Sequence, residues 1–122
     1  MFNHLSFYQY FRIQVKMIME SKFALQRTII DIKNTDERIQ VTGYIKKIEG
    51  ERLILDDETG NLIVDISDVD FQFKKDDLVN VFGDLEIKVS GEKNLKADII
   101  QDMGNLNFNY YKQLYEMKKQ LE

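Results

Sequence analysis

Five consecutive residues, Asp56, Asp57, Glu58, Thr59 and Gly60, put three carboxylates and a hydroxyl inside the stretch LILDDETGNLIVDI. Side chains of this type could hold a hard cation or act as a general acid and base. Spacing argues against both. A calcium loop with Gly60 at its sixth position would start at Leu55 and end at Ile66, where Asp and Glu are needed. A hydrolytic pair needs two carboxyl groups facing one cleft. Asp56 and Asp57 are adjacent at the end of an apolar alternation, so their side chains diverge. Short polar residues followed by glycine, between two apolar runs, are the chemistry of a tight turn. The stretch therefore predicts a hairpin corner, with Gly60 supplying the positive φ.

The rest of the chain offers no other catalytic set. The 122 residues include one histidine, His4, and no cysteine. A histidine triad, a HExxH zinc site, a zinc–thiolate site and a thiol nucleophile are thereby excluded. No GxGxxG or GK[ST] phosphate loop occurs. The expectation is a protein that is not an enzyme and has no metal or cofactor. The absence of cysteine fits an intracellular location. No run approaches the ~18 apolar residues of a membrane span, so no membrane partner is expected.

A chain of 122 residues, 43% hydrophobic and 31% charged, predicts one soluble domain with a modest core. The charge is uneven. Residues 37–104 hold nine Lys/Arg against sixteen Asp/Glu, whereas both ends are mildly basic. An acidic centre opposes strong phosphate binding, which needs clustered cations.

Period-two patterning dominates from Arg38 onward. Ile39, Val41 and Ile45 alternate with Gln40, Thr42, Tyr44 and Lys46, and Gly43 marks a bend or bulge. Leu53 and Leu55, then Leu62, Val64 and Ile66, continue in phase. DVDFQFKKDD reads as a connection, with Lys74 and Lys75 in a solvated loop. LVNVFGDLEIKV, the turn SGEKN, and a last strand with Leu95, Ala97 and Ile99 inward complete five strands. Five short strands with regular turn signals predict a small barrel or sandwich. Upstream, Phe11, Ile13, Val15 and Met17 also alternate, so residues 1–22 are an extension that is either disordered or an added strand, with Met17 or Met19 as alternative starts.

After Gly104 the period changes. Tyr110, Leu114, Met117 and Leu121 are spaced four, three and four apart, and Phe108, Tyr111 and Tyr115 widen the stripe. This predicts an amphipathic helix, with Asn105 or Asn107 as N-cap. Lys118 and Lys119 stand in its last turn, where cations suit the helix dipole.

In order, VTGYI, LILDDETGNLIVDI, FKKDDLVNVFGDLEI and NLKADIIQDM resemble an OB-fold of the nucleic-acid-binding type over about residues 37–103. Glu58 departs from the pattern, since such domains often carry glycine there. FALQRTIIDIKNTDERIQVTGYI fits the short segment that such domains lay along the barrel before the first strand. A lone OB domain followed directly by NFNYYKQLYEM resembles the small subunits of replication protein A, archaeal or eukaryotic, and the related Stn1/Ten1 telomere proteins. The resemblance implies an all-β chain with a five-stranded OB-fold barrel over residues 23–104 and a C-terminal oligomerisation α-helix over residues 105–122.

The same resemblance implies a role in replication or repair, as a mainly structural subunit of a single-stranded DNA-binding heterotrimer. The location would be cytoplasmic in an archaeon and nuclear in a eukaryote. In such families the helix joins larger OB-fold subunits in a bundle, which makes Phe108, Tyr110, Tyr111, Leu114, Met117 and Leu121 the candidate interface. OB-folds bind single strands over barrel strands two and three. Outward phasing along the barrel strands gives Tyr44, Arg52, Ile54, Ile63, Asp65 and Phe82. Tyr44 and Phe82 are the candidates for stacking, and Arg52, Lys88, Lys93 and Lys96 those for phosphates. Each aromatic can equally serve to cover a barrel end or contact the helix. The acidic barrel favours weak DNA contacts. A free-standing single-stranded DNA- or RNA-binding protein is the alternative.

Overall fold

Alternation over residues 38–102 forces each strand to turn one apolar row toward a common interior. In the computed structural model the strands meet that demand by closing a barrel. The structure describes residues 24–121. The extension expected over residues 1–22, with His4, lies outside the described residues.

The elements are β1 (Leu25–Gln26), a 3-10 turn (Ile29–Asp31), β2 (Arg38–Glu49), β3 (Arg52–Asp56), β4 (Asn61–Asp65), β5 (Leu78–Ile87), β6 (Lys93–Asp102) and α1 (Phe108–Gln120). The sheet order is β1-β2-β3-β4-β6-β5, and β2 pairs back onto β5 to close it. β2 through β6 form the five-stranded barrel. β1 is an added strand, parallel to β2 at Leu25–Ile39 and Gln26–Gln40. β2 serves two neighbours. Its residues 38–44 pair with β5 and its residues 44–49 with β3. The bend falls at Gly43, where a Cβ would sit 2.9 Å from the Asp56 carbonyl oxygen.

Ile39, Val41, Ile45, Leu53, Leu55, Leu62, Val64, Ile66, Val79, Val81, Leu95 and Ala97 form the buried interior, as the alternation requires. Two irregular segments add to it. The connection between β4 and β5 contributes Val69, Phe71 and Phe73, and the 3-10 segment contributes Ile29 and Ile32. Among the described residues no helix is long and apolar enough to cross a membrane.

Two expectations need correction. Ile99 does not follow Ala97 into the core; Ile100 packs there instead. β6 carries an extra residue, because Phe82 pairs with Ile99 while Gly83 pairs with Ala97, leaving Asp98 unmatched. Such a bulge shifts the phase of everything beyond it. The second concerns the hairpin corner. The residue with positive φ is Glu58, at 72°, not Gly60. Gly60 is needed for proximity: a Cβ there would come within 3.1 Å of the Ile29 side chain.

That proximity comes from Asp57, which is buried. Its carboxylate accepts the Ile29 N–H at 2.7 Å, the Thr59 N–H at 2.9 Å and the Thr59 hydroxyl at 2.6 Å. Thr59 Oγ1 in turn accepts the Ile30 N–H at 3.1 Å. The acidic corner thus ties the β3–β4 hairpin to the 3-10 turn. Asp36 braces the same segment, accepting two guanidinium hydrogen bonds from Arg27 and one from the Lys33 N–H.

Asn107 caps α1, its side chain accepting the Tyr110 N–H at 3.1 Å. Phe108 and Tyr115 are its buried residues. Polar contacts fix the rest of this face. Gln26 donates to the Tyr111 hydroxyl at 2.7 Å, and Lys112 meets Glu58 at 2.6 Å. Asp31 accepts from the Tyr115 hydroxyl at 2.8 Å and from Lys119 at 2.9 Å.

Asp57→Ala leaves two backbone donors without their acceptor, and it should lower unfolding stability by roughly 2–3 kcal/mol, as read by chemical denaturation. A second expectation concerns pH. Lys119 and then the Tyr115 hydroxyl hold Asp31 below its ordinary 3.8. Burial first, and Asp31 second, push Tyr115 above its ordinary 10.0. A depressed carboxylate contributes stability that is lost as pH falls through its folded value. A raised phenol contributes stability that is lost as pH rises through its folded value. Helix docking, followed by tyrosine near-ultraviolet circular dichroism, should be flat over about pH 5–9 and weaken beyond both ends. Asp31→Asn should remove the acid limb.

Candidate nucleic-acid and partner interfaces

Leu53, Leu55, Leu62 and Val64 point inward, so their neighbours Arg52, Ile54, Ile63 and Asp65 stand on the outer face of β3 and β4. Strand register arranges this face in two rows. One runs Glu49, Arg52, Asp65, Lys96 across β2, β3, β4 and β6. It continues through Asp84 on β5 to Arg38 on β2. The sign alternates at every step around the barrel, and adjacent opposite charges suit cross-strand neighbours. The second row runs Lys47, Ile54, Ile63, Asn94. Between the rows lies a shallow depression lined by Lys47, Glu49, Arg52, Leu53, Ile54 and Ile63.

The candidate phosphate-binding cations are mostly engaged. Lys88 pairs with Glu92 at 3.4 Å and Lys96 with Asp68 at 3.5 Å. Lys93 donates to the Ile32 carbonyl at 3.2 Å. Arg52 alone of the four has no ion pair or hydrogen-bonded partner for its side chain among the described residues. Asp65 stays ionised: the Ser67 N–H, and then its hydroxyl, hold it below the usual carboxylate range. A polyanion approaching this face meets as many carboxylates as cations along the charged row.

The two candidate stacking aromatics are separated from it. Phe82 is only 1% exposed and cannot stack a base. Leu78 through Gly83 are buried on both faces of β5, so outward phasing there does not mean exposure. Tyr44 retains 38% exposure, but the Phe108 ring meets it edge-on at 5.2 Å and 83°. Helix contact is its role in this structure. Arg52 and Lys96 share the charged row, whereas Lys88 and Lys93 flank the β5–β6 turn.

The helix divides its wide stripe in two. Phe108 is buried against Tyr44, and Tyr111 stacks on Phe108 at 6.0 Å and 13°. Both were expected at a partner interface; Phe108 is instead buried against the chain's own barrel, like Tyr115, and Tyr111 is half-buried beside it. A side chain at one end of a short helix must first satisfy its own domain, and spacing alone does not separate the two faces. Tyr110, Leu114, Met117 and Leu121 lie on the far side and are 47–87% exposed. Lys118 flanks them, while Lys112 and Lys119 are held by Glu58 and Asp31.

Other functional-looking residues escaped the sequence reading. Asp31, Glu58 and Gln26 anchor α1 across 54–88 positions of sequence. Arg38 makes a two-pronged contact with Asp98 at 2.8 and 3.0 Å, which pushes its own pKa up. Local patterning carries no signal for such pairs. Among the described residues no group of three or more His, Cys, Asp or Glu could hold a metal ion.

No model of a protein family matches the sequence, and no curated protein matches it. Solved structures do. The chain aligns with a structure of the S. pombe Stn1–Ten1 complex at TM-score 0.66 and 17% identity, covering 81% of this chain and 94% of that one. It aligns with the telomere capping protein Ten1 of the same yeast at TM-score 0.64 and 19% identity, covering 80% and 98%. The E. coli hypothetical protein ygiW follows at TM-score 0.55 and 17% identity, covering 66% and 91%. What these structures share with the chain is the fold: it is an OB-fold barrel with a C-terminal helix, of the architecture seen in S. pombe Ten1.

Proposed function

We propose that this chain is a small, mainly structural subunit of a single-stranded DNA-binding replication or repair complex. Its larger OB-fold partners would dock on the outer stripe of α1. The observation that carries the reading is that stripe: Tyr110, Leu114, Met117 and Leu121 are exposed in a helix whose opposite face is already committed to the barrel. The spacing is that of an a/d seam for a second helix. Because α1 is docked and capped in the isolated chain, a partner would meet a preformed surface and lose little ordering entropy. The likeness to the Stn1–Ten1 complex, an assembly by its name, supports the same reading.

Own contacts to DNA would be weak, since the outer face of β3 and β4 alternates in charge and lacks an available aromatic. The alternative, a free-standing single-stranded DNA- or RNA-binding protein, draws on one observation. Arg52 beside Ile54 and Ile63 leaves a cation next to an apolar depression.

Leu114→Asp tests the main reading. The tagged full chain should retain large OB-fold proteins from native extract, identified by mass spectrometry, and the variant should lose them. Its monomer stability should move by less than about 0.5 kcal/mol, as for other exposed positions. A wild-type chain that retains no OB-fold protein overturns the reading. In fluorescence anisotropy the isolated chain should bind a labelled oligonucleotide more weakly than about 10 µM, changing less than about tenfold between 50 and 200 mM salt. Sub-micromolar binding with a steep salt dependence would establish the alternative instead.

A further inference from the structure

The outer face of β3 and β4 is not merely neutral; its two rows are self-complementary. Take a two-fold axis parallel to the strands, lying between β3 and β4 in the plane of contact. A second copy then presents each row in reverse order. Glu49 faces the second copy's Lys96, and Arg52 faces its Asp65. In the other row Ile54 faces Ile63, and Lys47 faces Asn94. Both rows match in one operation, with no like charges opposed. From this we propose that the outer face of β3 and β4 is an isologous interface between two copies of this chain.

Two further observations favour a second copy over other occupants. Among the described residues the Arg52 guanidinium beside the depression has no ion pair or hydrogen bond, and the axis brings a carboxylate to it. Ile54 and Ile63 are half-buried on a sheet face, where a matching isoleucine pair would complete their burial. The existing pairs of Lys47 with Glu49 and Lys96 with Asp68 are exposed, and pairs of that kind exchange at little cost. The axis parallel to the strands gives the aligned face-to-face packing that twisted sheets prefer, about 10 Å apart. A single-point-group closure of this sort stops at the dimer. The face is small, so the dimer should form in the micromolar range rather than permanently.

Sedimentation equilibrium of the full chain between 1 and 200 µM tests this. A monomer–dimer equilibrium that weakens with salt is expected. Arg52→Asp and Asp65→Arg, each alone, should weaken dimerisation at least tenfold, because each sets like charges against each other. Mixing the two variants should restore it to within about threefold of wild type, since both contacts are then opposite in sign. That rescue cannot arise from contacts within one chain. Thermal melts of each variant check that the monomers are folded. Should a variant fail to fold, Lys96→Glu mixed with Glu49→Lys provides the same reversal on the outer pair. A chain that stays monomeric overturns the proposal, as does a dimer indifferent to Arg52→Asp, or a mixture without rescue. A dimer abolished by Leu114→Asp and untouched by Arg52→Asp assigns the contact to α1 and also overturns it. The inference stands apart from the helix-mediated assembly, and each can fail without the other.

Discussion

A single buried carboxylate joins the two segments that carry the acidic anchors of the helix. Asp57 joins the β3–β4 hairpin to the 3-10 turn through three accepted hydrogen bonds. The 3-10 turn carries Asp31, and the hairpin carries Glu58. Those two residues are the anchors of Lys119, Tyr115 and Lys112 on α1. The platform under the helix is therefore assembled from two segments some thirty positions apart, and its geometry is only as good as the bond between them. Buried carboxylates are tolerated when their lone pairs are filled, and here backbone and hydroxyl donors fill them. An acidic run with the look of a catalytic site is a structural tie.

Charge shows the difference between a count and an arrangement. Over residues 37–104 acids outnumber bases sixteen to nine, which describes a surface that repels phosphates at long range. At contact distance the outer face is instead a sequence of alternating signs, set by register. Repulsion at a distance and specific complementarity up close are compatible. The first discourages a polyanion. The second selects a surface with the same alternation in reverse.

The barrel was legible in the sequence because it rests on local rules. Alternation located β2 through β6, and turn chemistry located the corner at residues 56–60; the turn expected at 90–94 lies at 88–92, since β6 already begins at Lys93. Side-chain chemistry and the change of period narrowed the N-cap to Asn105 or Asn107, and the structure places it at Asn107. Where the reading slipped, a distant contact or an inserted residue had intervened. The bulge at Asp98 moved Ile100 into the place expected for Ile99. Both faces of β5 are covered at Phe82, which period two cannot reveal. The site was less legible than the fold. Patterning left Tyr44 open between stacking a base and contacting the helix, and only the fold brings it against Phe108. Of the six helix residues expected to meet a partner, four are exposed, Tyr111 is half-buried and Phe108 is buried, because the helix must first be attached to its own domain.

Glu58 sits under two opposing demands. Its backbone adopts a positive φ that glycine accommodates best, while its carboxylate holds Lys112 of the helix. This one residue therefore couples the shape of the hairpin corner to the attachment of the helix, so neither can be remodelled without disturbing the other.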